Sequence, residues 1–196
     1  MPRVTNLYGL VLAGGRSRRM GRDKATLVYR GKLQLDRAVQ LLKPFCEDVY
    51  VSLRADQENP STLCDKLVVD RFGEIGPLGG LLSAFFYHRK QDLFVISCSM
   101  PFLDFAAVQV LLEQRDRNAV ATVFAGSDGS PEALFGIYEN ASKDIFLREA
   151  KNGVRDLDDI LTRHPCHCVP LEEPGLLDTV DSGTQYYDAQ KRIIGV

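Results

Sequence analysis

Apolar residues along the chain are grouped in short runs that alternate with longer segments in which they recur every three or four positions. A short run between polar turns is typical of a buried strand, and the longer spacing is typical of an amphipathic helix. Their alternation predicts a three-layer α/β fold, Rossmann-like, with a mostly parallel sheet covered by helices on both faces. The predicted strands are 6–12, 48–53, 66–70, 92–98, 119–124, 133–138 and 166–171. The predicted helices are 34–44, 77–89, 103–115, 141–151, 155–163 and 184–193.

Two predicted helices have clear end signals and a clear apolar face. One begins at Gln34 and ends at Pro44, and the other begins at Gly76-Pro77, because proline suits the first turn of a helix. The predicted buried stripe of the first helix is Leu35, Ala38, Val39, Leu41 and Leu42. The predicted inward face of the second is Leu81, Leu82, Phe85 and Phe86.

A parallel sheet binds its ligands beyond the carboxyl ends of its strands. Four segments are expected to meet there: 13–24, 53–57, 70–77 and 98–101. The loop 125–131 is rich in glycine and serine, which indicates flexibility, and we expect it to separate one half of the sheet from a second half.

Length and charge narrow the class of protein. The 196 residues fit one domain that buries about 70% of its unfolded surface. A net charge of −2 argues against general nucleic-acid binding. No apolar run has the length of a membrane span, and residues 1–3 lead directly into the first strand, so we expect neither a membrane anchor nor a signal peptide. Five cysteines without paired spacing indicate reduced thiols and a cytoplasmic location.

The segment His164-Pro165-Cys166-His167-Cys168 contains four soft metal ligands within five residues. Ligands so close together do not easily surround one tetrahedral ion, and no second C-x-x-C motif completes a zinc site. Cys166 and Cys168 are instead spaced to share one face of a strand, where cysteine packs as a small apolar residue.

The segment Leu10–Lys24 carries the strongest chemical signal. An apolar run stops at Ala13-Gly14-Gly15, and residues 16–24 then contain five Lys or Arg and one Asp. Gly14, Gly15 and Gly21 allow close approach of the backbone to a ligand and positive φ angles. Backbone N–H groups beside fixed cations form a polyphosphate site, although the spacing is neither that of a P-loop nor G-x-G-x-x-G. The alternative is a basic surface loop after a buried strand.

This segment resembles the L-x-G-G-x-S-x-R-M-G-x-x-K signature of nucleotidyltransferases. Residues 93–103 resemble the V-x-x-C-D-M-P-F-L segment of molybdenum cofactor guanylyltransferases, and residues 131–138 resemble their P-E-P-L-x-x-I-Y strand. The resemblance extends from Tyr8 to about Ala189. It implies the nucleotide-diphospho-sugar transferase fold in one domain, 1–196, with a nucleotide-binding half at about 6–101 and an acceptor half at about 102–193.

The resemblance also implies an activity: transfer of GMP from GTP to the phosphate of molybdopterin, with release of pyrophosphate and with Mg²⁺ as cofactor. Molybdoenzyme chaperones are further partners that it suggests. Arg19 and Lys24 match the positions that hold the triphosphate. The positions whose backbone lines the base and phosphates correspond to Leu12, Ala13, Gly14 and Gly15. Asp70 matches an aspartate near the guanine, and a strand-end turn or helix cap is its alternative role. We expect Arg16, Arg18 and Arg22 to be exposed helpers.

The chain departs from the family pattern at several positions. Ser99 stands where relatives have the Asp that coordinates Mg²⁺, and a hydroxyl is a poor ligand for this cation. Asp104 is a predicted helix N-cap rather than a substitute. Leu53 stands near the position of a base-reading Asn. Relatives often have N-x-N-T-P near the C-terminus. Asp181 can replace the first Asn as a ligand group, whereas Gly183 offers no side chain at the second position.

These departures leave three accounts open. In the first, the chain is an active enzyme whose metal is held mainly by phosphates, water and another carboxylate. In the second, it is a degenerate homologue that binds nucleotide without turnover. In the third, it is an otherwise active protein in which position 99 is a variant. A cytidylyltransferase for the same acceptor and a sugar-phosphate nucleotidyltransferase are the rival enzymes. The short chain argues against the second rival.

Overall fold

The computed structural model describes residues 3–17, 19–73 and 75–195. Its strands are β1 (Leu7–Leu12), β2 (Val28–Tyr29), β3 (Lys32–Leu33), β4 (Val49–Leu53), β5 (Leu67–Val69), β6 (Asp92–Ser97), β7 (Ala121–Ala125), β8 (Pro131–Tyr138) and β9 (His167–Val169). Its α-helices are α1 (Gln34–Leu42), α2 (Pro77–Tyr87), α3 (Phe105–Glu113), α4 (Lys143–Lys151), α5 (Leu157–Arg163) and α6 (Gly183–Ile194). Short 3₁₀ segments occupy Lys24–Thr26 and Asn140–Ser142.

Seven strands form one sheet in the order β5-β4-β1-β6-β8-β7-β9. Strand β8 is antiparallel to both of its neighbours, and the other neighbouring pairs are parallel. Helices α1 and α3 pack on one face, and α2, α4 and α5 pack on the other, each face with its own buried apolar cluster. The predicted mostly parallel sheet with helices on both faces is therefore confirmed.

Every predicted strand and helix is present, with ends that differ by a few residues. The sequence did not predict the β2–β3 hairpin, which packs with α6 in a third apolar cluster. The prediction for Phe86 is wrong: its side chain is about half exposed and lies beside Phe72, because it falls on the solvent side of α2. The prediction that the loop 125–131 separates two halves of the sheet is also wrong, because this loop connects two adjacent antiparallel strands, β7 and β8.

The residues of the rejected zinc motif contact other parts of the fold. His164 Nε2 lies 3.1 Å from a carboxylate oxygen of Glu149. Cys166 and Cys168 pack against the core, as predicted, and burial raises the pKa of the Cys166 thiol to about 12. In the described part of the chain, no helix is long and apolar enough to cross a membrane.

Glycines bring the start of α2 close to the sheet. A Cβ at Gly80 would lie 2.7 Å from the Ser52 hydroxyl oxygen and 2.8 Å from a methyl carbon of Leu12. A Cβ at Gly79 would lie 2.6 Å from a carboxylate oxygen of Asp70. Such distances exclude any side chain, so the first turn of α2 can lie directly beside the carboxyl ends of β1, β4 and β5. This packing forms one wall of the candidate site.

Candidate functional site

A cleft of about 700 Å³ lies at the carboxyl ends of β1, β4, β5 and β6. This volume is typical of pockets for small organic ligands. The four segments predicted to meet, 13–24, 53–57, 70–77 and 98–101, all contribute to its lining, so this prediction is confirmed. Leu134 of β8 and Asp181, just before α6, complete the wall from distant parts of the chain.

The glycine-rich loop, residues 13–24, is held by two side chains that follow β4. Arg54 Nη1 donates hydrogen bonds to the carbonyl oxygens of Gly14, at 2.8 Å, and Gly15, at 3.0 Å. Gln57 Nε2 donates to the Ala13 carbonyl at 2.9 Å and to an Asp23 carboxylate oxygen at 2.7 Å. Sequence reasoning missed both residues. The signal that could have identified them is their position directly after β4, whose carboxyl end lies beside that of β1.

The three loop glycines do not all adopt the positive φ angles that the sequence allows. Gly21 has a φ of +70°, whereas Gly14 and Gly15 have negative φ. A Cβ at Gly15 would have no neighbour within 4 Å, so the backbone there is open to the cleft. Of the three glycines, only Gly21 adopts a positive φ, and Gly15 leaves the backbone open to the cleft.

The structure brings the two predicted phosphate-binding cations to one carboxylate. Lys24 Nζ forms an ion pair with Asp181 Oδ1, and Arg19 Nη2 lies 3.8 Å from Asp181 Oδ2. Lys24 is 20% exposed and lines the cleft, whereas Arg19 is 79% exposed and stands at its outer edge.

The other cations of the loop differ in their surroundings. Arg16 is exposed and lines the cleft. Arg22 is exposed and its guanidinium stacks over the ring of Tyr186 at 4.5 Å. Arg18, the third expected helper, lies outside the described residues.

Asp70 lines the cleft and also forms the predicted strand-end turn. Its Oδ1 accepts hydrogen bonds from the Phe72 N–H, at 2.8 Å, and from the Ser83 hydroxyl, at 3.3 Å. These bonds fix the carboxylate against the first turns of α2. The turn role is confirmed, and the guanine role stays a prediction that the position in the cleft allows.

Ser99 is buried at the base of the cleft. Its hydroxyl oxygen lies 2.7 Å from that of Ser97, and its carbonyl accepts a 2.8 Å hydrogen bond from Val180 N–H. Cys98, between the two serines, has its pKa raised to about 12 by burial, so its thiol stays protonated at neutral pH. Asp104 caps α3 through Ala107 N–H, as predicted.

Among the described residues, the cleft provides few protein ligands for Mg²⁺. Within the described ranges no three His, Cys, Asp or Glu side chains converge as a metal cluster. Mg²⁺ is usually held by one or two carboxylates together with substrate phosphates and water. Asp181 lines the cleft and follows Val180, whose N–H donates to the Ser99 carbonyl, so the residues fit a cation that arrives on a nucleotide better than one held by protein ligands alone.

Comparison with known proteins identifies the family. The sequence pattern of the MobA-like NTP transferase domain matches residues 9–169. The chain belongs to this family. The predicted resemblance is thus confirmed at the level of the domain.

Two relatives show how much of this chain and of their own length the match covers. A molybdenum cofactor biosynthesis bifunctional protein from Synechocystis is 35% identical over 189 residues, which cover 93% of this chain and 53% of that protein. A molybdenum cofactor guanylyltransferase from Pseudomonas paraeruginosa is 32% identical over 130 residues, which cover 65% of this chain and 66% of that protein. The chain thus spans between half and two thirds of these relatives.

The fold itself is shared with a crystal structure of molybdopterin-guanine dinucleotide biosynthesis protein A from Archaeoglobus fulgidus. The TM-score is 0.80 at 20% identity, with 96% of this chain and 100% of that chain covered. At this identity the likeness establishes the fold alone.

Proposed function

We propose that this chain transfers GMP from GTP to the phosphate of molybdopterin and releases pyrophosphate. The observation that carries the proposal is the position of Lys24 and the glycine-rich loop in one cleft with Asp70 and Ser99. The names of the aligned relatives support the same reaction.

The proposed reaction is a displacement at the α-phosphorus. An oxygen of the acceptor phosphate forms the new P–O bond, and the bond to the β-phosphate oxygen breaks with its electron pair leaving on pyrophosphate. Such chemistry needs positioning and charge neutralisation more than covalent catalysis. Lys24, with Arg19 turned inward, would hold the triphosphate and balance the charge on the leaving group. The backbone from Leu12 to Gly15 would line the base and the phosphates.

Asp70 would select the base. A carboxylate can accept from both N1–H and the 2-amino group of guanine, whereas adenine presents the opposite edge. Hydrogen bonds from Phe72 N–H and the Ser83 hydroxyl hold this carboxylate where it lines the cleft. Leu53 offers no side-chain hydrogen bond, so Asp70 would carry the discrimination.

We include Mg²⁺ in the proposal, with Asp181 as its protein carboxylate and Ser99 beside it. When bound, the cation would neutralise phosphate charge. We further propose residues 6–101 as the nucleotide half, residues 102–193 as the acceptor half, the cytoplasm as the location, and molybdoenzyme chaperones as recipients of the product. The five cysteines are unpaired, which is consistent with a reducing location.

The test is a thermal-shift panel with GTP, CTP, ATP and UTP, each with and without Mg²⁺, followed by pyrophosphate release with a molybdopterin acceptor. A GTP-selective shift with acceptor-dependent release supports the proposal. A CTP-selective shift would instead support the cytidylyl reaction.

A second candidate is a nucleotide-binding homologue with little turnover. Ser99 favours it, because the hydroxyl pair with Ser97 provides no charge for a hard cation. Gly183, which lacks a side chain where relatives have a ligand group, favours it too. A shift that Mg²⁺ leaves unchanged, without pyrophosphate release, would support this candidate.

A further inference from the structure

The carboxylate of Asp181 is paired with Lys24 and lies near Arg19, the two cations that the proposed function assigns to the triphosphate. Its Oδ1 pairs with the Lys24 ammonium, and its Oδ2 lies 3.8 Å from the Arg19 guanidinium. The Asp181 side chain is 29% exposed and lines the cleft. A triphosphate that enters this cleft must therefore displace a negative charge already present, or bind next to it.

The position of this carboxylate is fixed by its neighbours. Val180 N–H donates to the Ser99 carbonyl at 2.8 Å, which holds the segment against the base of the cleft. The backbone N–H of Asp181 donates to Gln185 Oε1 at 2.9 Å, and Ser182 caps the start of α6 through Gln185 N–H. Residues 180–182 are thus hydrogen-bonded to the base of the cleft on one side and to the first turn of α6 on the other, which holds the Asp181 carboxylate in place.

The charge at Asp181 matters because Ser99 has none. In this chain Asp181 follows Val180, whose N–H donates to the Ser99 carbonyl, and the Asp181 carboxylate is paired with Lys24. One group therefore has two possible partners, a lysine in the free protein and a divalent cation on the nucleotide.

We propose that Asp181 is an internal counter-ion that competes with the triphosphate for Lys24 and Arg19 until a divalent cation on the nucleotide takes the carboxylate. The inference rests on the proposed function and adds a coupling to it. Without the cation, GTP faces both the occupied lysine and the repulsion of Asp181. With the cation, the carboxylate becomes a ligand and the lysine is released. Metal and nucleotide then strengthen each other's binding by the same factor.

The experiment measures GTP affinity by calorimetry in EDTA and in Mg²⁺ for the full chain and for Asp181→Asn. The amide keeps the shape of the side chain and the backbone bond to Gln185. Because the pair is only partly exposed, we expect Asp181→Asn to tighten GTP binding in EDTA by about fivefold and to reduce the enhancement by Mg²⁺. The matched control is Asp178→Asn. It removes a carboxylate charge three residues before Asp181 in the chain, where the carboxylate is paired with Arg192.

Two further measurements separate the counter-ion from simple repulsion and from a structural effect. In a Lys24→Gln background, Asp181→Asn should tighten GTP binding in EDTA less than it does in the parent, because the competed lysine is gone. Electron paramagnetic resonance of Mn²⁺ with GTP should show weaker Mn²⁺ binding for Asp181→Asn than for Asp178→Asn.

The outcomes are distinguishable. If the parent binds GTP with Mg²⁺ and Asp181→Asn behaves as Asp178→Asn in EDTA, the counter-ion inference is wrong and the proposed function stands. If Asp181→Asn tightens GTP equally with Lys24 and with Gln at position 24, Asp181 acts by repulsion alone and the inference is again wrong. If the parent binds none of the four triphosphates under either condition, the proposed function fails and the inference fails with it.

Discussion

Arg54 Nη1 lies 2.8 Å from the carbonyl oxygen of Gly14, across 40 positions of sequence. The same atom reaches the Gly15 carbonyl, while Nε of the side chain pairs with Asp56 at 3.1 Å. One planar guanidinium therefore ties the glycine-rich loop to the end of β4. A lysine ammonium lacks this fixed fork of donors.

The first prediction concerns this tie. Arg54→Met should weaken GTP binding by about tenfold or more, because the loop carbonyls lose charge-assisted donors and the loop becomes less ordered. Arg54→Lys should give an intermediate affinity. Calorimetry with Mg²⁺ measures both, and Arg117→Met, which removes an exposed arginine beside Asp92 at the start of β6, is the control. Parent-like affinity in Arg54→Lys would mean that charge alone matters at this position.

The second prediction concerns Lys24. Lys24→Ala should weaken triphosphate binding by ~1.5–3 kcal/mol, because one charge-assisted contact is removed. We expect the melting temperature without ligand to change little, since the ammonium contacts a carboxylate at the cleft rather than the core. Lys66→Ala, which breaks a pair with Asp48, provides the matched control. If Lys24→Ala binds GTP as tightly as the parent, the assignment of the phosphate loop is wrong, whereas a lowered melting temperature would indicate a structural role.

The glycine-rich loop could be predicted from sequence because its glycines and cations are adjacent in the chain. The alternating apolar runs likewise predicted the sheet, since each short apolar run is by itself typical of a buried strand. The sequence indicates Asp181 only as a replacement for a family Asn. Its pair with Lys24 and the bonds from Arg54 to the loop could not be predicted, because these partners lie 157 and 40 positions apart. The β2–β3 hairpin has two residues in each strand, too few for a period to be visible. Phe86 was misassigned because an aromatic side chain on a helix is not always buried.

The third prediction concerns pH. Burial lowers the pKa of His88, although the negative charge of Asp48 opposes the shift. The ring packs against Tyr50 at 4.1 Å and Tyr8 at 5.0 Å between ring centroids, and its Nε2 is buried without a hydrogen-bond partner among the described residues. The neutral ring is therefore favoured in the folded protein, and protonation favours the unfolded chain.

The sign follows from this preference. The contribution of His88 to the unfolding free energy is complete above the unfolded pKa, about 6.5, and is lost as pH falls through the folded value. His88→Phe keeps an aromatic ring but cannot titrate. Urea unfolding from pH 8 to pH 5 should show a steeper loss of stability in the parent than in His88→Phe. Parallel pH profiles for the two proteins would contradict the assignment.

The last prediction concerns Ser99. Its hydroxyl is buried at the base of the cleft, 2.7 Å from the Ser97 hydroxyl, and its carbonyl accepts a hydrogen bond from Val180, the residue before Asp181. Ser99→Asp should strengthen Mg²⁺ binding in the presence of GTP, because a carboxylate supplies a hard ligand and a negative charge where serine supplies a neutral oxygen. It should also raise the rate of pyrophosphate release with a molybdopterin acceptor. Ser99→Asn is the control, since it has a similar shape without the charge.

The burial of Ser99 sharpens this test. An introduced carboxylate without a cation would be partly desolvated, so Mg²⁺ with GTP should raise the melting temperature of Ser99→Asp more than that of the parent or of Ser99→Asn. Unchanged metal affinity in Ser99→Asp would mean that this position does not face the cation. Strong Mg²⁺-dependent turnover by the parent would show that Asp181 and the phosphates already suffice, and the gain from Ser99→Asp should then be small.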